Sequence, residues 1–248
     1  MGQNSFNSFG NLPTITKNLI IINLIMWLGT MFLPRLESML ALYFPASPYF
    51  RFWQIVSYMF MHAGIAHIFF NMFAVYMFGS VLERTWGEKR FLIYYFVTGI
   101  GAALVNMLVI YLRIRAIESQ LSADAVELVY SEGASVLAQG KNYIDALMGS
   151  LNGLINAQMV GASGAVFGIL LAFGMLYPNV EMFIFPIPFP IKAKYLVAGY
   201  GAIELFAGLA DFSFDHIAHF AHLGGMLFGI ILVLYWKKKD KYNGRYFY

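Results

Sequence analysis

Ser163 stands among small residues, in Val160-Gly161-Ala162-Ser163-Gly164-Ala165-Val166-Phe167-Gly168, at the head of an apolar run long enough for a helix. A serine hydroxyl becomes a nucleophile when a base within about 3 Å takes its proton, and neutral imidazole does this near pH 7. The N-terminus of a helix adds backbone N–H groups that point at any developing negative charge. Taken alone, the motif favours helix packing over catalysis, because small residues let membrane helices approach closely. The choice between the two depends on what else reaches Ser163.

A base is available in Asp215-His216-Ile217-Ala218-His219-Phe220-Ala221-His222-Leu223-Gly224-Gly225. If this chain enters a membrane from outside near Asp215 and rises ~1.5 Å per residue, His222 lies roughly 10 Å below the surface. Gly164 and Gly168 on one helix, with Gly225 and Gly229 on the other, are small-residue pairs that permit the close contact a serine–histidine hydrogen bond needs. A packing histidine remains the alternative. Earlier in the chain, His62 precedes His67-Ile68-Phe69-Phe70-Asn71. His67 and Asn71, four residues apart, share one helical face. Both donate hydrogen bonds, which suits an oxyanion better than a metal; plain interhelical hydrogen bonding stays open beside it.

No Asp or Glu is expected in a span near Ser163 or His222, so a dyad without an orienting carboxylate follows. Glu204, in the fifth span, is given a structural role. A metal site is the competing chemistry, since the chain has 5 histidines. His219 and His222 share a face and His216 lies about 120° from His222 if all three are helical. Only Asp211 and Asp215, at the membrane edge, could add a carboxylate. The expectation is therefore no metal and no cofactor.

These residues need a scaffold, and composition indicates which. The chain is 60% hydrophobic and 12% charged, with mean hydropathy +0.65; soluble domains average about 25% charged residues. Long apolar runs with that deficit mark a polytopic helical membrane protein. The absence of cysteine excludes disulfides, thiol catalysis and thiolate metal sites. Residues 1–18 are polar, with no basic region followed by a short apolar core, so no cleaved signal peptide is expected.

Six spans are read along the chain: Leu19–Leu33, about His67–Leu82 with a buried approach from Ile55, Phe91–Leu112, Ala162–Leu176, Tyr195–Leu209 and about Ile217–Trp236. The aromatic stretch from Arg35 to Gln54 suits the interface. Residues 113–158 are polar, with apolar periodicity at Ile114, Ile117, Leu121 and Leu128 and again from Ile144 to Ile155, which predicts two amphipathic helices on the membrane surface. Pro186, Pro188 and Pro190 make an apolar loop of residues 180–190. The basic run from Lys237 to Lys241 is expected to stop the last span. With both ends inside, eleven Lys and Arg (Lys17, Arg84, Lys89, Arg90, Lys192, Lys194, Lys237, Lys238, Lys239, Lys241 and Arg245) fall on the inner side. Five (Arg35, Arg51, Arg113, Arg115 and Lys141) fall outside. That is the asymmetry of the positive-inside rule. The division is then a cytoplasmic segment 1–17, a transmembrane domain 18–236 with an external insertion at about 113–158, and a basic cytoplasmic tail 237–248.

Gly161-Ala162-Ser163-Gly164, Ala221-His222-Leu223-Gly224-Gly225 and His67-xxx-Asn71 preceded by His62 resemble, in order and spacing, the motifs of the rhomboid intramembrane serine proteases. The resemblance runs from about Phe52 to Tyr235, apart from one insertion. It implies an all-α, six-helix rhomboid-like bundle carrying a long external insertion between helices 3 and 4. It also implies Ser163 as nucleophile, His222 as general base, and His67, Asn71 and the Ser163 N–H as oxyanion hole, with Gly161, Gly164, Phe167 and His62 in support. Substrates would be transmembrane helices of other proteins, cut near the outer face at small residues. The setting would be a lipid bilayer, a bacterial inner membrane, with no nucleic-acid partner and the oligomeric state open. Three departures stand out. The family's aromatic-Arg pair in the first loop is Trp53-Gln54 here, so the guanidinium that ties that loop is missing. Phe167 replaces the tyrosine of some members, and the section before the serine is unusually long. An inactive relative that only binds membrane clients is the second reading, although such proteins usually lose the serine or the histidine.

Overall fold

The computed structural model describes residues 12–183, 188–209 and 216–242. The chain is all-α apart from one small hairpin. Its helices are α1 (Thr14–Phe32), α2 (Pro34–Leu40), α3 (Gln54–Ser57), α4 (Ile65–Ala74), α5 (Ser80–Trp86), α6 (Glu88–Glu118), α7 (Ala123–Ala138), α8 (Ala146–Asn156), α9 (Ser163–Leu176), α10 (Ala193–Leu209) and α11 (His216–Tyr242). A π-helical turn, residues 75–79, joins α4 to α5 without a break, so the two act as one rod. Strands β1 (Glu181–Met182) and β2 (Ile191–Lys192) pair antiparallel, Glu181 opposite Lys192.

Among the described residues, four helical stretches are long and apolar enough to cross a membrane, at Thr14–Phe32, Ile65–Trp86, Glu88–Glu118 and His219–Tyr242. They carry large apolar side chains on their outer faces, among them Ile25, Phe32, Phe69, Phe70, Leu108 and Leu234, which a lipid solvent accepts and water does not. Helix α9 has the opposite character. Nine of its residues are buried, from Gly164 to Gly174, because α6, α11, α4 and α10 surround it. Its 14 residues span only about 21 Å, against a hydrocarbon core of about 30 Å. A central helix that short must begin or end below the membrane surface.

Local chemistry sets the breaks. Gly87, at φ 79°, turns the chain between α5 and α6, a conformation glycine adopts without strain. Ser122 caps α7 by accepting from Ala125 N, and Asp145 caps α8 by accepting from Leu147 N and Met148 N. Helix α1 borrows its cap: the buried Glu83 carboxylate of α5 accepts from Ile15 N, Thr16 N and Thr16 Oγ1 at 2.7–2.9 Å. At the same end of the molecule, Arg90 and Asp240 form a two-pronged ion pair at 2.7 Å that ties α6 to α11.

Several boundaries differ from expectation. Helix α6 runs on to Glu118, so Ile114 and Ile117 belong to its end rather than to a separate surface helix. There Ile110 and Ile114 form a second small core with Val129, Leu151 and Ile155 of α7 and α8. The two helices of the insertion therefore pack on an extension of α6. Helix α11 does not stop at the basic run but continues to Tyr242. Lysine is a good helix former, and its long stem lets the charge reach water while the helix continues. The proline-rich loop is closed at its base by β1 and β2, its residues 184–187 lying outside the described set.

Candidate active site

The backbone just before Ser163 is fixed at two points. Leu42 and Met159 exchange both backbone hydrogen bonds, at 2.9 and 2.8 Å, and Gly161 N donates to Tyr58 O at 3.0 Å. Gly161 has φ +125°, which side chains other than hydrogen disfavour. The space is also taken: a methyl group there would lie 2.7 Å from His67 Nε2 and 3.7 Å from Ser163 Oγ. The tight turn at Gly161 thus lets the His67 ring and the Ser163 hydroxyl both come close to one point. Ser163 is the first residue of α9, half-buried, with the free N–H groups of the first helical turn around it.

His222 Nε2 and Ser163 Oγ are 2.8 Å apart, a hydrogen bond between α11 and α9. The helices can close to this distance because Gly225 lies directly on the Gly164 carbonyl, where no β-carbon fits. Phe167, one turn beyond Ser163, stacks on the His222 ring at 8° with centroids 4.2 Å apart. That face-on contact limits rotation of the imidazole and seals one of its faces from water.

His67 and Asn71 follow on α4. Asn71 is buried and donates one amide hydrogen from Nδ2 to the His67 carbonyl at 2.9 Å, which holds the side chain against its own helix. His62 is 2% exposed and its ring meets that of His67 edge-on at 5.0 Å. Among the described residues neither His62 nitrogen has a hydrogen-bond partner. The ring is a wall behind His67.

One expectation fails here. Glu204 of α10 is not remote from the site: its Oε2 accepts from His219 Nδ1 at 2.7 Å and lies 3.0 Å from His222 Nδ1. The contact with His219 is a hydrogen bond, whereas that with His222 is a close approach of an ion-pairing kind. Three side chains that could ligate an ion therefore converge, with their donor atoms within 4.8 Å of one another. The sequence reading missed this because α10 and α11 form a helical hairpin. Residues 15 or 18 apart meet there by folding back, which no helical period records. Asp211 and Asp215, the carboxylates that reading preferred, and the side chain of His216 lie outside the described residues.

The first loop also departs from expectation. The buried Gln54 side chain does the tying expected of an arginine: Nε2 donates to the carbonyls of Met39 (3.2 Å) and Tyr49 (3.0 Å), and Oε1 accepts from Arg51 N (3.0 Å). Against this loop and α7 opens a cleft of about 660 Å³, lined by Met39, Tyr43, Arg51, Trp53 and Leu137 among others.

A half-buried serine–histidine contact at the head of a short central helix, in a bundle of membrane-length helices, defines a class of membrane protein. Residues 49–239 match the Rhomboid domain, and the chain belongs to the rhomboid family. It is an integral membrane protein. It is 25% identical over 214 residues to an uncharacterized mitochondrial rhomboid protein of Schizosaccharomyces pombe, covering 77% of this chain and 53% of the relative. It is 28% identical to the chloroplastic Rhomboid-like protein 11 of Arabidopsis thaliana, covering 87% of this chain and 62% of the relative. A shorter match, 34% identical over 56 residues, joins it to the rhomboid protease GluP of Bacillus subtilis, 23% of this chain and 11% of that protein. The chain spans about half the length of the first of these relatives.

Proposed function

We propose that this protein is an intramembrane serine endopeptidase that cuts transmembrane helices of other proteins. The observation that carries the reading is the 2.8 Å contact between Ser163 Oγ and His222 Nε2. In the proposed reaction His222 Nε2 takes the hydroxyl proton as Ser163 Oγ attacks the peptide carbonyl carbon. The C–N bond then breaks, His222 returns the proton to the leaving amine, and an acyl ester remains on Ser163. Water, deprotonated by the same nitrogen, releases the acid. The carbonyl oxygen, negative while the carbon is tetrahedral, takes its hydrogen bonds from Ser163 N–H, His67 and the second amide hydrogen of Asn71.

Placement in the bilayer follows the charge asymmetry. Both ends lie on the inner side, α9 and α10 complete six crossings, and the head of α9 faces outward, with the insertion above it. A protein that only binds membrane clients has no need of a hydrogen-bonded serine and histidine, and the presence of both favours the enzyme.

The test is a transmembrane peptide reconstituted in vesicles and challenged with the wild type, Ser163→Ala and His222→Ala. Both variants should insert and fold, and both should lose cleavage. A fluorophosphonate should label the wild type and not Ser163→Ala. Cleavage that survives in either variant overturns the proposal.

A further inference from the structure

Glu204 is a carboxylate buried in a helix that faces lipid, with only 9% of its surface exposed. Ionisable residues at such depth are costly and tend to have partners and a function. It lies five residues before the end of α10, ~7.5 Å along the axis; His219 and His222 lie ~4.5 and ~9 Å beyond the start of α11. The carboxylate is thus level with the space between the two imidazoles, and its Oε2 touches both Nδ1 atoms. The shorter contact, a hydrogen bond of 2.7 Å, goes to His219. That leaves Oε2 anchored, in a fixed position beside His222 Nδ1.

We infer that Glu204, held by His219, is a positioning residue for His222 in the serine hydrolysis proposed above. The inference rests on that reading. For His222 Nε2 to accept the serine proton, its single ring proton must sit on Nδ1 in the resting site. A fixed carboxylate oxygen 3.0 Å from Nδ1 selects that tautomer and offsets the positive charge the ring gains when it takes the proton. The resulting chain is His219, Glu204, His222, Ser163, drawn from three helices. Phe167, stacked on the ring face, limits tilting of the His222 ring and keeps Nδ1 beside the carboxylate.

The variants Glu204→Gln, Glu204→Asp and His219→Gln separate positioning from simple packing. In vesicle assays on a transmembrane peptide, Glu204→Gln should lower kcat roughly 10- to 1,000-fold with KM within about twofold. Glu204→Asp, which keeps the charge, should recover part of the loss, and His219→Gln should cost less than about tenfold. A loss that follows only the folded fraction of each variant, or an unchanged kcat in Glu204→Gln, overturns the inference.

A readout independent of activity is the ¹⁵N spectrum of histidine-labelled protein. His222 should carry its proton on Nδ1 in the wild type and redistribute it in Glu204→Gln. A wild-type His222 protonated on Nε2 overturns the inference even in an active enzyme. The expected tautomer in a protein that no fluorophosphonate labels would sink only the protease reading. Cleavage lost in a chelator and restored by Zn²⁺ would instead make Glu204, His219 and His222 ligands of an ion, and would also overturn it.

Discussion

His222 and Ser163 are 59 residues apart in the chain, yet Nε2 and Oγ stand at 2.8 Å, because Gly225 of α11 rests on the Gly164 carbonyl of α9. The chemistry of the pair depends on that seam.

Gly225→Ala places a methyl group where the Gly164 carbonyl already is, so the two helices must separate. Overpacking of this kind costs about 1–3 kcal/mol. The expected outcome is a lower unfolding temperature together with loss of fluorophosphonate labelling. Normal labelling would show that the helices close by another route.

Gly161→Ala meets two obstacles at once, the positive φ and the His67 ring 2.7 Å from the added carbon. Backbone strain at such a position costs of order 1–3 kcal/mol. With His67 the oxyanion donor proposed above, its displacement should reduce kcat at least about tenfold, since loss of one such donor costs roughly 100- to 1,000-fold. Steady-state cleavage compared with circular dichroism melting measures the two effects separately.

Gln54→Ala removes three hydrogen bonds that gather residues 39–54. Leaving buried groups unsatisfied costs about 1–3 kcal/mol. Faster amide hydrogen exchange across residues 39–52 is expected, with kcat changing less than the exchange rate. Unchanged exchange there would show that the side chain carries no tension in the loop.

Phe167→Ala opens one face of the His222 ring, which Phe167 now covers at 4.2 Å. A stacked aromatic contributes roughly 0.5–1.5 kcal/mol beyond its burial. That corresponds to a fall of about two- to tenfold in kcat, with Phe167→Tyr close to wild type. Equal losses in both variants would point to a size constraint rather than stacking.

Much of this was readable from residue order. The small-residue run announces a tight helix contact, the long apolar runs announce spans, and the spacing of His67 and Asn71 puts them on one face of α4. The structure bears out the all-α rhomboid-like fold, and it sets Ser163 Oγ 2.8 Å from His222 Nε2. Glu204 was not readable because its partners lie across a hairpin whose register no period encodes. Gln54 was misjudged for a different reason: an amide and a guanidinium share the ability to donate to two carbonyls, and the loop needs the donors, not the charge. The extra length of α6 was hidden because Arg113 and Arg115, polar enough to suggest the end of a span, are equally good helix residues once outside it.

That length has a mechanical consequence. Helix α6 is a single rod of 31 residues, about 46 Å, with no proline along it. Its C-terminal end is clasped by α7 and α8 through Ile110 and Ile114, and nearer its middle Ala102 bears on Gly164, next to the serine. A rod held at both points is a lever. A load that tilts α7 and α8 reaches the head of α9 directly, so the helices packed on the end of α6 and the Ser163 hydroxyl share one stiff handle.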